Sequence, residues 1–407
     1  MMNKGRFIII VLDSFGVGAM DDVFEVRPSD IGSNTSLHLI EYPKEKHWDN
    51  LLSLGLMNIL NLEIGDYFKK SKKAIFGKCD LVHFGADSYF GHQEIIGTRP
   101  KKPLFQKLSE FINDLESDLN KKGFNVERVK KNNLELLKVN NSIFIGDNME
   151  TDLGQAINVV GALDYCGFGM IEEVGHIVRK HVKVPRVIAF GGSDVTIERI
   201  AENIITKDGF IGIDVPKSGV YNKNYHVIHI GYGVDKTEQL PVKIGNKGII
   251  NHLYGKAENI IYSPNGTKFP CVDTNDTFDG LIKDLKEYDN GFFMVNIQET
   301  DLAGHAMNPE KYIDVLNIVD IRIREVIDIL NDDDILVIMA DHGNDPTIGH
   351  SRHTRECVPL LIFNKKNEKL VDIGHRKTMA DVGQTAAEYF GVKLNNGESF
   401  LKYIDNL

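Results

Sequence analysis

Three short runs of the chain are almost continuously apolar, and each leads into an acid. Phe7–Leu12 runs into Asp13, Phe292–Ile297 reaches Asp301 after a short turn, and Ile335–Ala340 runs into Asp341. Runs rich in Ile, Val and Phe without polar alternation predict strands buried on both faces, as in parallel sheets covered by helices. Between the last two, "NPEKYIDVLNIVDIRIREVIDIL" sets Tyr312, Val315, Leu316, Val319, Ile323, Val326, Ile327 and Leu330 at three- and four-residue steps. Asn308 can cap that helix and Pro309 suits its first turn. Strand, helix and strand in order predict an α/β core with crossover connections. Ligands of open α/β sheets bind beyond the carboxyl ends of the strands. If the three strands are parallel neighbours, three carboxylates converge there and raise one another's pKa unless a cation compensates them.

At 407 residues the chain is too long for one simple core, so two domains are expected. The segment 102–222 reads as an insertion, bounded by the polar stretches "TRPKKP" and "VPKSGVYNKN", within a discontinuous core of 1–101 and 223–407. Inside it, "PLFQKLSEFINDLESDLNKKGF" predicts an amphipathic helix with Phe105, Leu108, Phe111, Ile112, Leu115 and Leu119 on one face. "SIFIGD" and "RVIAF" predict strands. A net charge of −11 argues against a nucleic-acid surface, which needs a basic face. No apolar run nears the ~20 residues that span a membrane. The start, "MMNKGRFIIIVLDSFGVG", reads as a strand rather than a signal peptide, because Asp13 interrupts the run. Cys79, Cys166, Cys271 and Cys357 share no short spacing, so neither a disulfide framework nor a thiolate zinc motif is legible, and a cytoplasmic location is expected.

Histidines accompany two of the acids. His305 follows Asp301 by four residues, His342 follows Asp341 directly, and His353 lies eleven residues further on. Imidazole with carboxylate and no thiolate suits Mn²⁺, Zn²⁺ or Fe²⁺. Six such donors exceed the need of one tetrahedral ion, so two ions are expected, a standard device for phosphoryl chemistry. Singly, Asp13 also reads as a helix cap and His305 as a satisfied surface histidine; the set carries the weight. A second stretch, "GADSYFGHQEIIGTRP" (85–100), holds Ser88, which reads either as a helix-capping turn or as a nucleophile needing a base or a metal.

Together these residues resemble the alkaline phosphatase superfamily of two-metal enzymes and, within it, the phosphopentomutase family. The blocks that carry the resemblance are "VLDSFGVG", "DSYFGHQEIIG", "YGKAENI", "NIQETDLAGH", "ADHGNDPTIGHSRHTRECVPLL" and "MADVGQTAAEYFGV". The resemblance implies an alkaline-phosphatase-like α/β core, a largely parallel sheet flanked by helices, with 102–222 as a smaller α/β cap. It implies that Asp13, Ser88, Asp341 and His342 hold one divalent ion and Asp301, His305 and His353 the other, Mn²⁺ before Zn²⁺. Ser88 becomes the nucleophile, carried as phosphoserine, with a bisphosphate as activator. Asp147, Lys217 and Lys256 become substrate contacts. The chain departs from the family in having Ser88 where phosphopentomutases have Thr. It also has Lys217 where the cap carries phosphate-gripping arginines, and the two cations are not interchangeable at a bidentate site. The expected reaction is transfer of a phosphoryl group within a small phosphorylated metabolite. The alternatives are phosphopentomutase activity proper, a metal-dependent phosphatase or phosphodiesterase, and a non-catalytic metal-stabilised binding protein.

Overall fold

A computed structural model describes residues 5–150 and 153–405 of the chain. They form two compact units, residues 5–100 with 235–405, and the described residues of 101–234.

The larger unit is built on eight strands: β1 (Arg6–Leu12), β2 (Ala74–Cys79), β3 (Asn251–Tyr254), β4 (Gly266–Phe269), β5 (Gly291–Ile297), β6 (Ile335–Met339), β7 (Val358–Phe363) and β8 (Leu370–Arg376). Their order across the sheet is β4-β3-β5-β1-β6-β7-β2-β8. Five of the seven pairings are parallel; β7 runs antiparallel to both of its neighbours. The expected α/β class is observed, and the three apolar runs are adjacent strands. β1 pairs in parallel with β5 on one side and β6 on the other, so all three end at one edge. Every residue of Phe7–Leu12 is fully buried, which is why no polar alternation is seen in that run.

Four helices matter to the site: α1 (Ser88–Ile95), α2 (Lys256–Ile260), α3 (Glu299–His305) and α4 (Pro309–Asp328). α4 starts where its sequence predicts. Asn308 accepts from the Lys311 N–H, Pro309 occupies the first turn, and Tyr312, Val315, Leu316, Val319, Ile323 and Val326 are buried. Among the described residues no helix is long and apolar enough to cross a membrane.

The smaller unit has a six-stranded sheet in the order His226–Gly231, Arg186–Gly192, Ala156–Ala162, Ile143–Asp147, Leu134–Val139, Val126–Lys131. It extends past residue 222 because His226–Gly231 pairs with Arg186–Gly192. The helix expected from residue 103 onward begins only at Ile112, and Phe105 is exposed. The N–H groups of Leu104, Gln106 and Leu108 donate instead to Lys183 O, Gly154 O and Asp147 Oδ1, so tertiary partners keep residues 104–107 out of the helix, and Leu108–Glu110 make only a 3-10 turn before it.

Candidate metal centre

Asp13, Asp301 and Asp341 meet beyond the ends of β1, β5 and β6, and all three are buried. The backbone turns sharply after β1, with Ser14 in the left-handed region at φ 75°. That turn aims the Ser14 N–H at Asp341 Oδ1, 3.2 Å away. Asp13 Oδ2 accepts from Asn296 Nδ2 (3.0 Å) and from Lys256 Nζ (2.9 Å), at the start of α2. Among the described residues Asp13 Oδ1 has no hydrogen-bond partner, although it is buried.

The histidines are oriented by backbone carbonyls. His342 Nδ1 lies 3.0 Å from Gly343 O, His353 Nδ1 2.9 Å from Ala86 O, and His305 Nδ1 2.7 Å from Ser351 O. A carbonyl only accepts, so each ring carries a proton on Nδ1, and in the neutral ring Nε2 presents a lone pair inward. His342 Nε2 sits 3.4 Å from both Asp13 Oδ1 and Asp341 Oδ2, with no hydrogen-bond partner among the described residues. His353 Nε2 lies 3.3 Å from Asp301 Oδ1 and 3.0 Å from His305 Nε2, which is itself 3.4 Å from Asp301 Oδ2. Nitrogens and carboxylate oxygens set this close need positive charge between them, a proton on Nε2 or a bound cation. The donors fall into two groups that meet at His342: Asp13, Asp341 and His342, and Asp301, His342 and His353. This is a nitrogen and oxygen set without sulfur, which fits divalent cations.

Ser88 opens α1, with Asp87 as its cap accepting from the Phe90 N–H. Its Oγ donates to Asp341 Oδ2 at 2.7 Å. α1 is buried along its length and approaches Asp341 closely: a Cβ on Gly91 would lie 2.7 Å from Asp341 O. Glycine at 91 therefore permits the approach that brings Ser88 to the centre.

The charges are balanced unevenly. Burial, reinforced by the Asp341 charge, pushes Asp13 up to about 7, against the pull of Lys256. Burial acts the same way on Asp301 and Asp341 but loses there. With His305 and His353 protonated on Nε2, their hydrogen bonds hold Asp301 far below the carboxylate range, and the charge and hydrogen bond of His92 with the Lys256 charge do the same for Asp341. Only Asp13 thus shows the rise expected of crowded carboxylates. Burial lowers His342 to about 3, keeping its ring neutral and able to bind a cation.

The structure brings Asp13, Ser88, Asp301, His305, Asp341, His342, His353 and Lys256 together. It places Asp147 and Lys217 in the smaller unit. Asp147 is buried, its two oxygens accepting from the Leu108 and Ile211 N–H groups, while Lys217 is exposed and pairs with Asp214 at 2.6 Å. His350 pairs with Asp30, 3.2 Å away. Arg355 holds Asp22 and the carbonyls of Leu81, His83 and Gly85, and Glu356 accepts from Thr35, Thr354 and Gly18. Sequence reasoning missed His92, Asn296 and Asn344. His92 lies one helical turn after Ser88, with Nδ1 3.1 Å from Asp341 Oδ2. Asn296 is the one polar residue in its apolar run, and that interruption was its signal. Asn344 donates to Asp301 Oδ1 at 3.2 Å.

Residues 5–394 match the sequence model described as the metalloenzyme superfamily. A phosphopentomutase of Clostridioides difficile is 30% identical over 97% of this chain and 98% of its own length. One of Alkaliphilus metalliredigens is 27% identical over 98% and 99%. Among solved structures, a phosphoglycerate mutase of Leishmania mexicana covers 97% of each chain at 12% identity and a TM-score of 0.41, a likeness too distant to add to the sequence match. Matched over nearly its whole length, the chain belongs to the metalloenzyme superfamily.

Proposed function

We propose that this chain, a metal-dependent phosphomutase, moves a phosphoryl group between two oxygens of one small phosphorylated sugar by way of a phosphoserine on Ser88. The observation that carries the reading is Ser88 Oγ, 2.7 Å from Asp341 Oδ2 at the start of a buried helix and beside two sets of cation donors. Asp13, Ser88, Asp341 and His342 are the proposed ligands of one divalent ion, and Asp301, His305 and His353 of the other. Mn²⁺ is the first choice and Zn²⁺ the second. Such ions, when bound, draw electron density from the serine and phosphoryl oxygens.

The chain's own groups supply the rest. The hydrogen bond to Asp341 fixes Ser88 Oγ and gives its proton an acceptor. In the proposed cycle phosphoserine passes its phosphoryl group to a free hydroxyl of a sugar monophosphate. The bisphosphate then presents its other phosphate, Ser88 Oγ takes that one, and the isomer leaves. Each transfer breaks one phosphorus–oxygen bond and makes another, so no water is consumed. A trace of sugar bisphosphate would prime an unphosphorylated Ser88. Lys256, held at Asp13, supplies a cation for a substrate phosphate. The smaller unit is assigned the role of substrate-selecting cap, with Lys217 as its candidate phosphate contact; Asp147 is assigned a bracing role.

A pentose phosphate is the substrate that the relatives' name suggests. The test offers Mn²⁺-loaded protein ribose 1-phosphate and a panel of other sugar monophosphates, reading isomer and free phosphate separately. Isomer without free phosphate, accelerated by bisphosphate, is expected. Phosphate release equal to substrate loss would make the enzyme a hydrolase and end the mutase reading.

A further inference from the structure

The carboxyl edge of the eight-stranded sheet carries a second meeting of donor atoms. Asp13, Asp301 and Asp341 occupy the ends of β1, β5 and β6. The next three strands at that edge bring Cys357 just before β7, Asp80 just after β2, and His375 near the end of β8. Strands lie about 4.8 Å apart, so this cluster is roughly 10–15 Å along the edge from the catalytic donors.

Three different donor types converge there. Cys357 Sγ is 3.4 Å from Asp80 Oδ1 and 3.8 Å from His375 Nε2, and that nitrogen is 2.5 Å from the same oxygen. Tetrahedral coordination by sulfur at about 2.3 Å and by nitrogen or oxygen at about 2.0 Å separates such donors by roughly 3.5 Å. The two sulfur distances already match. The nitrogen–oxygen distance opens by movement of His375, which is exposed, while Cys357 is buried and Asp80 half-buried. A bulge in β8 between Asp372 and Gly374 shifts the register just before His375, the kind of irregularity that re-aims a side chain. Lys377 Nζ holds the other Asp80 oxygen at 3.2 Å. The arrangement is not a Cys–His–Asp triad, because thiol and carboxylate face the same ring nitrogen rather than opposite ones.

We propose that Asp80, Cys357 and His375 form a separate thiolate-containing cation site of the zinc class, with its fourth position open to solvent. Carboxylate, imidazole and thiolate at the ends of three neighbouring strands are a donor set that selects this class over Mg²⁺ or Ca²⁺. Cys357 lies four residues after the catalytic donor His353, and its backbone pairs with Val17 and Gly18. A cation there would fasten the segment leading from His353 into β7 to the neighbouring strands.

Cobalt distinguishes the two sites, because only a cysteine ligand gives thiolate-to-cobalt charge transfer and the catalytic donors contain no sulfur. Mn²⁺-loaded full-length protein is titrated with Co²⁺ and its near-ultraviolet absorbance is followed. An intense band saturating at a single equivalent is expected. It should vanish in Cys357→Ser, need about ten-fold or more Co²⁺ in His375→Gln, and persist in Asp301→Asn. His375 is exposed, so that variant keeps the test sound if Cys357→Ser fails to fold. A wild-type protein without the band at millimolar Co²⁺, or a band that survives in Cys357→Ser, overturns the proposal.

Discussion

Asp13 follows a buried strand of the larger unit, and Asp147 closes a buried strand of the smaller one. Both carboxyls are almost wholly buried, and burial pushes both up, to about 7 and about 6. They differ in what claims their lone pairs. Each oxygen of Asp147 accepts a backbone N–H, from Leu108 or Ile211. Asp13 Oδ1 accepts nothing among the described residues, and the equally unpartnered His342 Nε2 is 3.4 Å away. Burial and a raised pKa therefore do not distinguish a brace from a cation ligand. Unclaimed lone pairs that converge with others do, because an unsatisfied buried acceptor is tolerated only where something else fills the role.

Ser88→Ala removes the proposed nucleophile, and turnover should fall on the order of 10⁴-fold or more in a steady-state isomerase assay. A variant that turns over normally would remove Ser88 from the chemistry. His353→Ala should cost about one equivalent of bound metal by elemental analysis and most of the activity. Unchanged stoichiometry would show that convergence of lone pairs is not what binds the ion. Gly91→Ala forces α1 away from Asp341, and a displacement of that kind should cost roughly 10–100-fold in kcat with the fold retained by circular dichroism.

The smallest functional effect is expected from Asp147→Asn, which should leave metal content and kcat near wild type while lowering Tm. Its pH behaviour sharpens the contrast. The folded pKa lies above the ordinary 3.8, so the native state keeps its proton longer and binds more protons than the unfolded chain between the two values. Stability should then fall as pH rises from about 4 to about 6, by on the order of 3 kcal/mol from this group. Thermal melts of Asp147→Asn across that window should lose this fall. Loss of metal in that variant instead would put Asp147 with Asp13.

Much of the larger unit was legible because its signals are local. A doubly buried strand shows itself as an apolar run, α4 carries its own cap and stripe, Asp13, Asp341 and His342 come just after the strands that position them, and Asp301 and His305 lie on α3. What could not be read depends on partners distant in the chain. Residues 103–111 look α-helical by pattern, yet the N–H groups of Leu104, Gln106 and Leu108 are claimed by Lys183, Gly154 and Asp147. Asp147 carries the same strand-end signature as Asp13, and only the fold shows that its oxygens are spoken for. Apart from Thr354, the partners of the Arg355 and Glu356 side chains lie more than 250 residues upstream, in segments that no spacing rule connects to them. Asp80, Cys357 and His375 are invisible as a motif for the same reason: three separate strands supply one donor each.

The central claim is that Ser88 itself carries the phosphoryl group. The direct measurement is peptide mass spectrometry of Mn²⁺-loaded protein quenched during turnover of an accepted sugar phosphate. A peptide containing Ser88 that gains the mass of one phosphoryl group, labelled when the substrate phosphate is labelled, is the predicted result. Isomer formation with Ser88 never labelled, or with label only on another residue, would contradict it.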